Sequence, residues 1–471
     1  MKPVLLFCKV GNETLPTPLA RRFRVLSICL SGKWRSGDFF TDCQKLRTAL
    51  AGGWSGRSFD LLNVMCGVRA ADRFFVSEGV FRARRRIPLA VGVTDKQHWQ
   101  EVRESFQAAA AKLSEDTLDF HPIQLPDVPD SAMPLTSAPP SFSSAAPKPD
   151  CVCLFSGGLD SFAGVAYLLA RNRRPVLVSQ SVGPVSGLQK RLFQVLRERF
   201  PRLSDEWIVQ ASACPNTARI ERECSGRSLH WRHRDQLQRL RSMYFLSLAA
   251  LVARAVGVNE IFMCENGLVG AAVVFSPRDD TPFTTRPAEP HYLRAVERFL
   301  QLALGWPALC IRNPFQYMTK GQVIKEVQKL GLRDSLYQTV SCWRSGNCGI
   351  RNCGQCVPCL FRQLAFDEAG LSVPPPKHGY RHPIPKKHWR AWRSTEVEFL
   401  EDTVEYCRKV AKSGRNWLLG NELAVVDAID VTKGPVKSPG CQHLDDLDRQ
   451  APFKVARVIQ RFAKATVRRL R

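Results

Sequence analysis

Apolar and polar positions follow two periods along this chain. Short runs dense in Val, Leu, Ile, Phe and Cys predict buried strands, and apolar residues recurring every three or four positions predict helices. Between residues 151 and 330 the two alternate regularly. Strands are expected at Cys151–Phe155, Pro175–Gln180, Glu206–Ala211, Glu260–Cys264 and Ala308–Arg312. Helices are expected at Ser161–Arg171, Ser186–Phe200, Asp235–Val256, Pro290–Leu304 and Thr319–Leu330, with Gly331 closing the last of them. Strands without polar alternation, each followed by a helix, predict an α/β fold with a five-stranded doubly wound parallel sheet covered on both faces. In such sheets ligands bind beyond the carboxyl ends of the strands.

The flanking regions read differently. Residues 1–125 show strand-like runs at Pro3–Val10, Arg24–Leu30 and Ile87–Val93 and a helix over Asp95–Leu113, with Thr94 or Asp95 as its N-cap. They predict an N-terminal accessory α/β domain. Residues 126–150 are rich in Pro, Ser and Ala with little to bury, which predicts an extended linker. The alternating region and a cysteine-rich stretch fill 151–370. Residues 371–471 carry a basic loop and helical patterns at Thr395–Lys412 and Phe453–Leu470, predicting a helical C-terminal appendage with a solvated basic face.

Composition narrows the class. A hydrophobic share of 44% with 24% charged residues describes a globular protein. The longest apolar stretch, Tyr244–Val258, contains Arg254 and is too short to span a bilayer, so no membrane is expected. The first residues lack a signal-peptide pattern, and a cytoplasmic location is expected. The net charge of +25 implies a general attraction to polyanions. It suits ATP, an acidic partner or RNA alike, and no aromatic-studded single-strand platform favours nucleic acid.

Chemistry concentrates in two motifs. Ser156-Gly157-Gly158-Leu159-Asp160-Ser161 sits between the first strand of the alternating region and its helix. Two glycines let backbone amides approach phosphate oxygens, and the following helix start directs free N–H groups at the same anion. Ser156 and Ser161 add hydroxyls, while Asp160 beside phosphate implies Mg²⁺ or an ordering role. No Gly-Lys-Ser/Thr follows, so this is not a Walker A loop. Second, Cys342, Cys353, Cys356 and Cys359 have the spacing of a structural Zn²⁺ site with no open position. Cys348 lies between them and could replace Cys342, and an iron–sulfur cluster is the alternative metal group.

SGGLDS resembles the signature of the PP-loop ATP pyrophosphatases. Together with Arg241–Ser247, Asn313-Pro314, Thr319-Lys320, Ser341-Cys342-Trp343 and Cys353–Cys359, it resembles the 7-cyano-7-deazaguanine synthase (QueC) family over Cys151–Gly370. The resemblance implies an ATP-dependent C–N ligase of the PP-loop family that uses ATP, Mg²⁺ and Zn²⁺. ATP would be bound by residues 156–161, Arg241 and Ser242. Asp160 and Lys320 would be catalytic; for such a ligase Glu265 is a further catalytic candidate, as an orienting base, and Arg286 a candidate clamp on the substrate carboxylate. Departures from the family pattern at Ser179–Gly183, at Cys264-Glu265-Asn266-Gly267 and at Phe283–Pro287 fall where the deazapurine acid would be recognised. With the extra N- and C-terminal regions they resemble the QueC-like proteins of bacterial anti-phage systems such as Qat and type IV CBASS. That implies adenylation of 7-carboxy-7-deazaguanine and transfer to an amine, possibly on a protein partner encoded with it. Three alternatives stay open: a housekeeping 7-cyano-7-deazaguanine synthase, an RNA-modifying PP-loop enzyme and a non-catalytic nucleotide-sensing subunit.

Overall fold

The computed structural model describes residues 2–31, 39–41, 54–75, 84–127, 148–180, 183–203, 208–211, 213–215, 238–270, 287–342, 351–371, 379–382, 403–413 and 451–469. Its strands are β1 (Val4–Lys9), β2 (Arg24–Ser31), β3 (Phe39–Thr41), β4 (Arg86–Val93), β5 (Thr117–Gln124), β6 (Cys151–Leu154), β7 (Pro175–Gln180), β8 (Ile208–Ala211), β9 (Ala213–Pro215), β10 (Glu260–Phe262) and β11 (Cys310–Arg312). Its helices begin with α1 (Thr17–Arg22), α2 (Gly56–Phe74), α3 (Lys96–Ser114), α4 (Leu159–Ala170), α5 (Gly183–Arg199) and α6 (Arg241–Val256). They continue with α7 (Gly267–Gly270), α8 (Pro290–Leu304), α9 (Lys320–Lys329), α10 (Arg333–Gln338) and α11 (Val357–Glu368). Residues 403–413 form α12, and α13 is Ala451–Arg469.

Two sheets organise these elements. The first runs β5-β4-β1-β2-β3-β9, parallel except for the antiparallel β3–β9 pair. The second runs β11-β10-β6-β7-β8 with every neighbour parallel. The fold is therefore α/β with parallel sheets.

Helices α2 and α3 pack on one face of the first sheet, and α6 and α8 on one face of the second. These four helices meet one another, α2 on α6 and α3 on α8. A single apolar core therefore runs from Leu6, Leu89 and Phe120 through to Tyr244, Phe299 and Val152. Its aromatic centre joins the two halves: Phe299 of α8 lies 5.0 Å from Phe106 and 6.3 Å from Trp99 between ring centroids. Tilted and edge contacts of this kind add to the area buried. The other face of the second sheet is covered by α4, α5 and α9 around Phe155, Leu192 and Phe315.

Local chemistry explains the element starts. Asp95 caps α3 by accepting from the His98 amide at 3.0 Å. Thr319 and Gln322 form a reciprocal capping box at the start of α9, which fixes Lys320 as its first residue. The amphipathic pattern expected over residues 235–256 begins its helix later, at Arg241, and Gln238–Leu240 form an irregular approach to it. Helix α2, nineteen residues long, is buried along almost its whole length, so it shows no polar face to the sequence.

Candidate nucleotide site and metal centre

Phe155 follows the end of strand β6, and the chain then turns through Ser156–Gly158 into α4. Gly157 takes φ +82°, the left-handed region that favours glycine. The turn is tied internally. The Ser156 hydroxyl is 3.0 Å from that of Ser161, and it accepts from the Gly158 amide at 3.2 Å. The Ser161 hydroxyl donates to the Gly158 carbonyl at 3.1 Å. From behind, the buried Gln189 amide donates to the Phe155 and Ser156 carbonyls at 3.4 and 3.3 Å, and Ser179 donates to Phe155 at 2.7 Å. Gln189 carried no motif in the sequence; only its burial on α5 reveals that it holds the loop.

In front of the turn lies a cavity of about 400 Å³. Its polar lining includes Ser156, Gly158, Asp160, Ser161, Arg241, Glu265, Asn266 and Lys320. Lys320 pairs with the Asp160 carboxylate, and Asn266 donates to the same Oδ2 at 3.2 Å. The other oxygen, Asp160 Oδ1, is buried without a hydrogen-bond partner. Burial, reinforced by the Asp160 charge and opposed by Lys320 and Arg241, pushes Glu265 up to about 8. Arg241 is exposed to solvent yet partly desolvated beside the cavity, which lowers its pKa, with the Asp72 charge acting against it. The rest of the lining is largely apolar and includes Leu268, Val269, Phe361 and Leu364 together with Val458, Phe462 and Ala465 of α13. The basic appendage expected at the C-terminus therefore turns one apolar face inward. Phe462 meets Phe361 edge-on at 4.7 Å between centroids.

Not every predicted residue reaches the cavity. Ser242 turns its hydroxyl to Tyr292 at 3.3 Å and lies outside the cavity lining, because one position along α6 rotates a side chain by about 100°. Gly157 contributes its backbone to the turn rather than a wall, its carbonyl accepting from the Val340 amide at 3.4 Å. Arg286 and Cys348 fall outside the described residues.

Cys342, Cys353, Cys356 and Cys359 converge, with ligand atoms all within 4.8 Å of one another. The resolved sulfur separations are 3.8 Å (342–356), 3.9 Å (353–359) and 3.4 Å (356–359). Tetrahedral Zn–S bonds of about 2.3 Å put sulfurs roughly 3.8 Å apart, so the cluster fits Zn²⁺ with all four ligands supplied. Cys342 is thus gathered with the other three. Gly354, at φ +80° and with the His382 carbonyl where a Cβ would stand, makes the tight turn between the second and third ligands. Amides of Cys353 and Gln355 point at Cys342 and Cys353 sulfurs at 3.4 and 3.3 Å. Arg362, fully buried on α11, donates to the Leu336 carbonyl at 2.7 Å and the Thr339 hydroxyl at 2.8 Å. The cysteine knot and Arg362 together hold Val340–Cys342, which form part of the cavity wall.

Residues 234–370 match the family model described as "Queuosine biosynthesis protein QueC". That segment holds α6, Lys320 and the four cysteines; the Ser156–Ser161 turn precedes it. The 7-cyano-7-deazaguanine synthase of Thermoplasma acidophilum is 34% identical over 137 residues, 28% of this chain and 50% of that protein. Those of Syntrophobacter fumaroxidans and Myxococcus xanthus are each 28% identical, over 242 and 233 residues, which is 47% of this chain and 94% and 95% of theirs. Of the former enzyme and others like it the chain spans about half the length. No helix among the described residues is long and apolar enough to cross a membrane. The cysteine knot, the wall it braces and the start of α6 thus lie in the segment that matches the QueC family model.

Proposed function

We propose that this chain is an ATP-dependent ligase of the PP-loop type that adenylates a carboxylate carried on a 7-deazaguanine ring. The observation that carries this reading is the convergence of the Ser156–Ser161 turn, Lys320 and Arg241 on one cavity. The relatives are 7-cyano-7-deazaguanine synthases, and they supply the substrate class.

The α4 start and the loop amides bind the phosphates, and Lys320 moves from Asp160 to the nucleotide. The orphaned Asp160 Oδ1 fits Mg²⁺, which when bound would neutralise phosphate charge. A substrate carboxylate oxygen attacks the α-phosphorus, the bond to the bridging oxygen of the β-phosphate breaks, and pyrophosphate leaves. Amides and Arg241 stabilise the charge that develops. An amine nitrogen then attacks the acyl carbon, AMP leaves, and the amine proton passes to the ionised Glu265. Arg286 is proposed as the clamp on the substrate carboxylate. The apolar part of the cavity lining, which includes Phe361 and Phe462, accepts a flat ring.

The finer reading takes the acceptor to be an amine on a partner protein, within an anti-phage system. It is supported by the Cys264–Gly267 segment, which departs from the family at the substrate-reading position and here turns Asn266 onto Asp160. The test is incubation with ATP, Mg²⁺ and 7-carboxy-7-deazaguanine, followed by assay of AMP and pyrophosphate. Acid-dependent release is expected, with a deazaguanine adduct on the partner by intact mass. Free nitrile with ammonia supports the housekeeping reaction instead; release only with RNA supports an RNA-modifying enzyme. No release under any of these conditions overturns the enzyme reading and leaves a nucleotide sensor.

A further inference from the structure

The approach to α6 is gripped by side chains from the first 125 residues. Gln238 takes φ +47°, an unfavourable conformation for a residue with a Cβ. Arg69 donates to its side-chain oxygen at 3.0 Å. The Leu240 amide, at the N-cap of α6, donates to Asp72 Oδ2 at 3.1 Å. Arg239 donates to Asp116 Oδ1 at 3.4 Å. Arg85 ties the two aspartates together, at 2.8 Å to Asp72 and 2.6 Å to Asp116. All five charged side chains are 4% exposed or less. The next residue along the chain is Arg241, in the cavity.

Burying such a cluster costs desolvation that its own pairing scarcely recovers, and an apolar filling would serve stability as well. What charges supply and apolar side chains do not is direction: each partner fixes one atom of residues 238–240 in one place. Those atoms set where the α6 axis begins and which way its first side chain leaves it. The same Asp72 supplies the opposing charge nearest in effect to Arg241.

We infer that Asp72, with the Arg69–Gln238 bond beside it, is a positioning residue for the nucleotide, and that residues 4–125 act through it to place Arg241 in the cavity. This rests on the proposed reading that Arg241 contacts the bound nucleotide.

A double-mutant cycle on the full chain tests it, reading ATP–Mg²⁺ affinity by calorimetry and Tm in parallel. Arg241→Ala is expected to weaken ATP binding about tenfold or more, the weight of one charge-assisted phosphate contact. Asp72→Asn and Gln238→Ala are expected to weaken it about three- to tenfold in the parent and not at all in the Arg241→Ala background. A loss of affinity that persists in the Arg241→Ala background is structural, and only a loss that disappears there marks positioning, whatever the accompanying change in Tm. Should Asp72→Asn fail to fold, Gln238→Ala completes the cycle alone. If Arg241→Ala weakens binding while folded Gln238→Ala binds as the parent does, or weakens it equally in both backgrounds, the positioning role is wrong and the Arg241 reading survives. If Arg241→Ala binds ATP as the parent does, both fall.

Discussion

Gly157 shows how one backbone angle can decide a site. At φ +82° an alanine is strained by about 1–2 kcal/mol, and its Cβ would stand 3.4 Å from Gln189 and Leu188. Gly157→Ala should lower Tm accordingly and weaken ATP binding, since the neighbouring amides turn with it; calorimetry with and without nucleotide reads both. Glu265 makes a prediction in pH. Its carboxyl is lifted from an ordinary 4.5 to about 8, mainly by burial. Between those values the unfolded chain has released a proton that the folded chain keeps. Folded protein binds more protons there, so stability falls as pH rises from about 4.5 to about 8 and levels off above. Glu265→Gln should flatten that slope in thermal unfolding of the nucleotide-free protein, and an unchanged slope would remove Glu265 from the account. At this scale the turn from Ser156 to Ser161 was legible because paired glycines and small polar residues at fixed spacing mark a tight strand-to-helix turn, whereas Lys320 was offered only by the family resemblance. Gln189 and Asp72 were not legible, since each acts through contacts with residues distant in sequence.

Among elements, α13 is the one whose place changes the reading of the site. Its basic residues marked it as a solvated helix, yet Val458 and Phe462 sit one turn apart on a buried face that closes the cavity. Phe462→Ala should cost about 3 kcal/mol, in the range for large buried aromatics, and open the apolar part of the lining. The measurement is Tm together with KM for the deazaguanine acid, and an unaltered KM would mean that α13 packs without shaping the substrate. The cysteine knot is the other element with a local test. Elemental analysis should find one zinc per chain, lost together with much Tm in Cys356→Ser, because structural zinc binding can contribute roughly 10 kcal/mol to folding. Iron in place of zinc would show the cluster to be of the other kind. Here the spacing of four thiols along the chain was nearly enough, as ligands three residues apart lie within reach of one ion whatever surrounds them.

At the scale of the whole molecule, the largest apolar core among the described residues crosses between the two sheets. Trp99 and Phe106 of α3 meet Phe299 of α8, and the His98 ring nitrogen sits 3.0 Å from the Ala303 carbonyl. Residues 4–125 therefore should not unfold apart from α6 and α8. Scanning calorimetry of the full chain is expected to show these layers melting in one transition, and a separate early transition assigned to them by proteolysis would contradict it.

Local pattern alone determined that a glycine turn lies between a buried strand and a helix, that four cysteines gather, and that parallel α/β structure surrounds them. Each of these follows from neighbours in sequence: side-chain period, backbone freedom, ligand spacing. Only the tertiary structure decided that α2 lies buried between layers, that α13 walls the cavity, and that a buried ion cluster near the first sheet holds the start of α6. Those are facts about which surfaces exclude water together, and hydrophobic burial, being non-directional, writes no partner into the sequence of either surface.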